Sequence, residues 1–83
     1  MNITDVRIRK IDNAGKLKGL ASVTFDDVFV VYEIKVLEGD RGLYVAMPSK
    51  KSSDGTYRDI AHPITSAARE EISSKVLSAY QEA

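Results

Sequence analysis

Alternating apolar and polar positions in the first part of the chain predict two strands. In residues 3–10, Val6 and Ile8 share one side of an extended chain, and the intervening positions are polar or charged. Residues 17–25 show the same alternation, with apolar side chains at every second position towards the end of the segment. Turn-forming residues occupy 12–16, so these two strands are expected to form a hairpin.

A third strand is predicted over residues 28–36, after a turn at Asp26-Asp27. Five of its apolar side chains are expected to share one face, namely Val28, Val30, Tyr32, Ile34 and Val36. Phe29 and Val31 fall on the opposite face and are also apolar. The first half of this strand is therefore expected either to be covered on both sides or to lie at an interface. A loop over 38–42 follows.

A fourth strand and a long polar segment come next. The strand covers 43–47 and is closed by Pro48, because proline has no N–H to donate to a neighbouring strand. Residues 49–59 are polar, with a tight turn at Asp54-Gly55. They form either an exposed loop or the tip of an irregular hairpin whose return arm is 56–58. Long structured loops of this kind often carry function in small domains.

After Pro63 the apolar period changes from two to about four, which predicts a helix. Apolar side chains recur along one face, at Ile64, Ala68, Ile72, Val76 and Tyr80. Thr65 or Ser66 is expected to cap the helix. The complete pattern predicts an α+β fold, an antiparallel β-meander of four to five strands with a C-terminal amphipathic helix packed on one face. Residues 1–83 are expected to form a single domain.

Composition limits the possible classes of protein. The chain has 83 residues, of which 43% are hydrophobic and 29% charged, the balance of a folded domain with one core. It contains no cysteine, so disulfides, thiolate zinc sites and thiol catalysis are excluded. No apolar run approaches the roughly 20 residues of a membrane span, and the first residues do not resemble a signal peptide. The expected location is the cytoplasm, with no membrane partner.

Because the chain has no net charge, any nucleic-acid binding must come from a local group of cations. Twelve Lys and Arg balance twelve Asp and Glu, whereas dedicated nucleic-acid binders are usually basic overall. Lys50 and Lys51, flanked by Ser49 and further serines, offer ammonium and hydroxyl donors suited to phosphate. Such a pair is more often plain solvated surface. Arg58 and Arg69 are expected to lie near this pair and to complete a phosphate-binding patch.

A second basic concentration lies on the first hairpin, at Arg7, Arg9, Lys10, Lys16 and Lys18. A solvated strand face requires such residues in any case, and Asp5 and Asp12 are placed to pair with them, so this cluster is interpreted as solvated surface. The aromatic residues fall mostly in apolar patterns. Only Tyr57, in the polar segment, is a candidate for stacking on a base.

Catalysis and metal binding find little support in the residues. His62 lies near Asp59, so a proton-shuttling pair can be drawn, but a structural role in hydrogen bonding to the backbone is favoured. One histidine without cysteine does not make a zinc site. Carboxylates do not show the spacing of a calcium loop, and glycines do not form a phosphate-binding motif. No metal, cofactor, catalytic residue or small-molecule substrate is expected.

Three segments together resemble the bacterial SpoVG family, named for a sporulation phenotype. They are residues 3–9, residues 42–51, which read GLYVAMPSKK, and residues 57–64, which read YRDIAHPI. The similarity is collinear over nearly the whole chain. This chain differs from the family at Lys51, where many members have arginine. The lysine keeps the positive charge but lacks the planar fork of a guanidinium. The helix start also differs, since Glu70 and Glu71 add two acids.

This resemblance implies a sheet-plus-helix domain that forms homodimers and binds DNA, and in some members RNA, to regulate gene expression. Lys50 and Lys51 match the basic residues that follow Met-Pro-Ser in the family. A dimer would place two such pairs on one assembly and raise avidity through effective concentration. Two competing hypotheses remain from the residues alone. One is a protein-interaction module with incidental nucleic-acid binding, and the other is a small hydrolase that uses His62 and Asp59.

Overall fold

The computed structural model describes residues 2–11 and 15–83. The main sheet is an antiparallel meander in the order β1-β2-β3-β4, formed by β1 (Ile3–Lys10), β2 (Leu17–Phe25), β3 (Phe29–Gly39) and β4 (Gly42–Ala46). A separate two-stranded sheet pairs β5 (Ser49–Lys51) with β6 (Tyr57–Asp59), and the chain ends in α1 (Ser66–Glu82). The predicted α+β meander with a C-terminal helix is confirmed.

A tight turn connects β2 to β3. Between β2 and β3, Asp26 and Asp27 have φ of 52° and 58°, and Val28 N–H donates to Phe25 O at 3.0 Å. Positive φ at both central residues is the turn geometry that matches the twist of a hairpin. Asp27 N–H also donates to Thr4 Oγ1 at 3.0 Å, which ties the turn to β1. The predicted turn over 12–16 includes residues 12–14, which lie outside the described residues.

A β-bulge in β3 changes which side chains face the core. Val23 pairs with Val31 and Ala21 pairs with Ile34, so Tyr32 and Glu33 together oppose the single residue between them on β2. Glu33 has φ of 62°. The extra residue reverses the alternation of faces at this point. The prediction that Val28, Val30 and Tyr32 share a face with Ile34 and Val36 is therefore wrong.

The core lies between the main sheet and α1. Its buried apolar side chains come from β2, β3, the residue that follows β4 and the helix, namely Ala21, Val23, Phe25, Ile34, Val36, Met47, Ile72 and Val76. Thr65 caps the helix, as predicted, because its Oγ1 accepts from Ala68 N–H at 3.1 Å. Ile64 precedes the cap and is 88% exposed, so its expected place in the buried stripe is wrong.

Gly19 allows the end of the helix to approach the sheet closely. A Cβ at this position would lie 3.2 Å from Tyr80 Cε1 and 3.3 Å from the Arg9 carbonyl oxygen. The absence of a side chain therefore lets the Tyr80 ring rest on β2. The Lys10 ammonium lies 5.0 Å from the centroid of the same ring. These contacts place the helix over one face of the sheet and leave the opposite face uncovered by it.

Candidate nucleic-acid interface

Residues 49–59, called the basic hairpin below, form an antiparallel hairpin rather than an open loop. Its register pairs Ser49 with Asp59, Lys50 with Arg58 and Lys51 with Tyr57. The base of the hairpin is fixed where Ile60 N–H donates to Pro48 O at 2.8 Å. Pro48 is buried, and it follows directly on the core residue Met47. The hairpin therefore projects from an anchored point at the end of β4.

The register divides the predicted basic residues between the two faces of the hairpin. Lys50 and Arg58 are direct partners and share one face, whereas Lys51 and Tyr57 share the other. Directly opposed residues in an antiparallel pair have Cβ atoms about 4.5–5.5 Å apart. Lys50 and Arg58 thus form a close pair of exposed cations, and Lys51 lies beside an aromatic ring that is 68% exposed. The predicted proximity of Arg58 to the lysine pair is confirmed for Lys50.

A hydrogen-bonded turn holds the tip of the hairpin. Ser52 N–H donates to Thr56 O at 2.8 Å, and Gly55, with φ of 91°, donates its N–H to Ser52 O at 3.0 Å. Asp54 Oδ1 accepts from Thr56 Oγ1 at 2.7 Å, from Thr56 N–H at 3.1 Å and from the Ser52 hydroxyl. These bonds, the Ser52 hydroxyl first, lower the pKa of Asp54 from 3.8 to about 2. Asp54 is therefore ionised at neutral pH and organises the turn.

Arg69 is not part of this pair of strands. It lies in the first turn of α1, where its N–H donates to Thr65 O at 3.1 Å. No Cα atom of α1 lies within 8 Å of a Cα atom of β5 or β6, all of which belong to the described residues. The structure brings Ser49, Lys50, Lys51 and Arg58 together in one hairpin. It does not bring Arg69 into contact with them.

His62 has a structural role in the connection to the helix. Its Nδ1 lies 3.0 Å from Pro63 O, so the ring N–H can donate to that carbonyl. This bond to the backbone is the role that the sequence favoured for His62. Asp59 lies on β6, paired with Ser49. The described residues include no group of three or more metal-ligating side chains, and none of their helices is long and apolar enough to cross a membrane.

An apolar groove of about 330 Å³ opens between the sheet and the start of the helix. Phe29, Met47, Ile64 and Ile72 are among its lining residues. Phe29 lies against Phe25, with ring centroids 6.4 Å apart, yet is 56% exposed. The expectation that the first half of the third strand is covered on both sides is wrong within one chain, because Val28 and Phe29 are both largely exposed. The alternative, that this part lies at an interface, stays a prediction. Apolar surface next to a polar rim is typical of a contact site.

The sequence missed the register of the basic hairpin, although a local signal was present. A turn centred on Asp54 pairs positions equidistant from it, which gives Lys50 opposite Arg58 and Lys51 opposite Tyr57. Treating 49–59 as a hairpin with that centre would have separated the two lysines onto different faces. It would also have linked each of them to a specific partner.

The fold and the hairpin define a class of small α+β proteins in which a meander and one helix support a basic hairpin. Comparison with known proteins then identifies the group. The family model described as SpoVG matches residues 1–82, and the chain belongs to the SpoVG family. The resemblance that the sequence showed is confirmed.

Curated relatives match over the whole chain. "Putative septation protein SpoVG" of Heliobacterium modesticaldum is 61% identical over 83 residues, which is 100% of this chain and 93% of that protein. Proteins with the same name from Clostridium beijerinckii and Lachnospira eligens are 60% and 59% identical over 83 residues. In both cases all of this chain is covered, together with 91% and 94% of the relative respectively. The names of these relatives associate them with septation.

Proposed function

We propose that this protein is a nucleic-acid-binding regulator of gene expression rather than an enzyme, acting in the cytoplasm through its basic hairpin on DNA or RNA. The observation that carries the proposal is the direct pairing of Lys50 with Arg58. Like charges directly opposite each other destabilise a strand pair. A phosphate held between the two cations would remove that repulsion and provide charge-assisted hydrogen bonds. Ser49 and Lys51 add donors on the other face.

Self-association is the second part of the proposal. A net charge of zero per chain gives no general attraction to nucleic acid, so affinity must come from a few well-placed contacts. A homodimer would present two basic hairpins, and the second contact would form at a high effective concentration. The apolar groove lined by Phe29 and Ile64 is the candidate surface for this association. Burial of the exposed Ile64 side chain would stabilise the contact.

A salt titration tests the proposal directly. Fluorescence anisotropy with labelled duplex DNA, and with RNA of matched length, should give a binding constant that falls steeply as salt rises. The Lys50→Ala, Lys51→Ala double variant should bind duplex DNA at least about ten-fold more weakly at low salt, with a slope reduced by about 2. Lys75→Ala is the matched control, because it removes an exposed lysine from the helix instead. Unchanged affinity in the folded double variant would remove the hairpin from the interface.

A protein-interaction module is the alternative function, and the apolar groove is the observation that favours it. Phe29 and Ile64 are both largely exposed beside a concave apolar surface. A partner with an apolar helix or strand could bind there. Such binding would depend little on salt, whereas binding through the basic hairpin would depend on it strongly. The Ile64→Ser variant would weaken a groove contact and leave the cations of the hairpin unchanged.

A further inference from the structure

The face of the main sheet opposite α1, called the open face below, has cationic and aromatic side chains. The described residues place no other element over it, because the basic hairpin does not pack against β1 to β4. Cross-strand register aligns Arg9, Leu20 and Lys35 in one row across this face. Arg7 and Ser22 form the next row, beside the bulge that contains Tyr32. Tyr32 is 68% exposed.

The open face is concave next to Tyr32. Two shallow depressions of about 480 and 430 Å³ adjoin each other there, and both are lined by Arg7, Ser22 and Tyr32. The arginines of β1 form one side, Tyr32 of β3 forms the other, and Ser22 on β2 lies between them. The bulge is what makes this trough, because it places Tyr32 and Glu33 together opposite Ser22.

We propose that the open face is a binding site for single-stranded nucleic acid, with an unpaired base stacked on Tyr32 and phosphates held by Arg9 and Lys35. Exposed aromatic rings on an open sheet face, next to cations, are the chemistry that binds unpaired bases. A duplex cannot use Tyr32 in this way because its bases are already stacked. The site therefore selects single strands over duplexes.

Charge along the open face gives the single strand a preferred position. Arg9 and Lys35 lie at one end of the trough, whereas Asp5 and Asp27 lie towards the other. Arg7 Nε donates to Asp5 Oδ2 at 2.9 Å, which leaves the terminal guanidinium nitrogens of Arg7 for a ligand. Glu33 borders the trough beside Tyr32. Phosphates should therefore lie at the Arg9 and Lys35 end.

A second copy of the chain fits the open face less well than a nucleic acid does. Arg9 and Lys35 flank Leu20 in the middle of the face, so a dry contact between two sheets would bury both charges. Removing charged groups from water without matched partners is costly. A bound single strand pairs these cations with phosphates and leaves them partly solvated. This inference does not depend on nucleic-acid binding by the basic hairpin, since the two surfaces are separate.

The test compares two substitutions of one exposed residue. Labelled oligothymidine and oligouridine of about 15 nucleotides, and a duplex of the same length, are titrated at low salt by fluorescence anisotropy. Tyr32→Leu should weaken binding of both single strands about ten-fold, because it removes a base-stacking ring. Tyr32→Phe keeps the ring and should bind within about two-fold of wild type. Duplex affinity should be unchanged in both variants.

Two further measurements distinguish direct contact at Tyr32 from an indirect effect of its substitution. Arg9→Gln should also weaken single-strand binding and reduce its salt slope by about 1. Because the chain has no tryptophan, its fluorescence emission comes from tyrosine. If Tyr32 contacts the oligonucleotide, quenching should be smaller in the Tyr32→Phe, Tyr57→Phe double variant than in the Tyr57→Phe variant. Equal quenching in the two variants would show that Tyr32 is not at the contact. Sedimentation of Tyr32→Leu should give the same assembly state as wild type.

Several results would overturn the inference. Wild-type affinity of a folded Tyr32→Leu protein for single strands would do so, and so would an equal loss of single-strand and duplex binding. A change from dimer to monomer in Tyr32→Leu would identify the open face as an interface between copies instead.

Loss of duplex binding in the Lys50→Ala, Lys51→Ala variant, with single-strand binding retained, would support both surfaces as separate sites. Absence of wild-type duplex binding would exclude duplex DNA as the ligand of the basic hairpin and leave the open face unaffected.

Discussion

Lys50 and Arg58 lie directly opposite each other on the two strands of the basic hairpin. Two cations in this arrangement repel each other, by an amount that salt and solvent reduce. The pairing is expected to weaken the free hairpin slightly and to favour it when an anion lies between the side chains. The relationship therefore predicts that a bound anion stabilises this hairpin.

A double-mutant cycle on duplex binding should show that Lys50 and Arg58 are coupled through one shared phosphate. Lys50→Ala and Arg58→Ala should each weaken duplex binding several-fold, and the double variant should lose less than the product of the two effects, because both cations hold one phosphate. Anisotropy titrations on the four proteins give the coupling. Without nucleic acid, neither variant should unfold at lower urea concentration than wild type. Fully multiplicative losses would show that the two cations act on separate phosphates.

Lys51→Arg should strengthen nucleic-acid binding without changing its salt dependence. The substitution keeps the charge and adds a planar guanidinium, which can hold phosphate with two donors and stack on the adjacent Tyr57 ring. An improvement of about two- to five-fold in duplex affinity is expected. The same substitution in a Tyr57→Ala background should gain less. An equal gain in both backgrounds would exclude stacking on Tyr57 as the cause.

Acid should loosen the tip of the hairpin through Asp54. Its folded pKa of about 2 is below the ordinary value of 3.8, so the ionised carboxylate favours the folded turn. That contribution is complete above about pH 4 and is lost as pH falls towards 2. The protection of the Thr56 amide, which donates to Asp54, should therefore fall over this range when its exchange rate is compared with the intrinsic rate at the same pH.

Asp54→Asn supplies the control for that pH dependence. The variant has no carboxylate to titrate, so its Thr56 amide should exchange several-fold faster than wild type at neutral pH, and its protection relative to the intrinsic rate should change little from pH 4 to pH 2. Asp40→Asn alters an exposed aspartate in a different turn and should leave this exchange unchanged. A wild-type exchange profile in Asp54→Asn would show that the backbone bonds hold the turn without the side chain.

Glu33→Gly should stabilise the protein. Glu33 has φ of 62°, a conformation that costs a residue with a Cβ about 1–2 kcal/mol and costs glycine little. Glycine also increases the entropy of the unfolded chain, which offsets part of the gain from relieved backbone strain. A net increase of about 0.5–1 kcal/mol in the free energy of unfolding is therefore expected. Urea unfolding measures the change. Glu33→Ala removes the charge but keeps a Cβ, so it should not stabilise the protein. Equal stabilisation by both substitutions would show that the charge of Glu33, and not backbone strain, is the cause.

Local signals in the sequence were sufficient to predict most of the elements. The predicted bounds 3–10 and 17–25 agree with β1 and β2, and Thr65 was among the expected caps. Period-two alternation, turn residues and a capping side chain act between neighbours in the chain, so they can be read without knowing the fold. The same holds for the Met-Pro-Ser-Lys-Lys segment that connected the chain to its family.

Contacts between distant segments explain what the sequence did not predict. The bulge at Tyr32 and Glu33 depends on how β3 aligns with β2, and one extra residue moved Tyr32 to the open face. Ile64 fits the helical period but lies before the cap and remains exposed. Arg69 fits a basic patch in composition, whereas the helix that carries it packs on the main sheet, away from the hairpin.

The sequence by itself thus determined the order of strands and helix, the family, and the cations available to a ligand, because these follow from residue type and from neighbours along the chain. Only the tertiary structure decided that Arg69 lies away from the basic hairpin and that Tyr32 lies beside Arg7 and Arg9 on an uncovered sheet face. The physical reason is register. In a sheet, a shift of one residue exchanges the two faces, and that shift is set by pairing between strands.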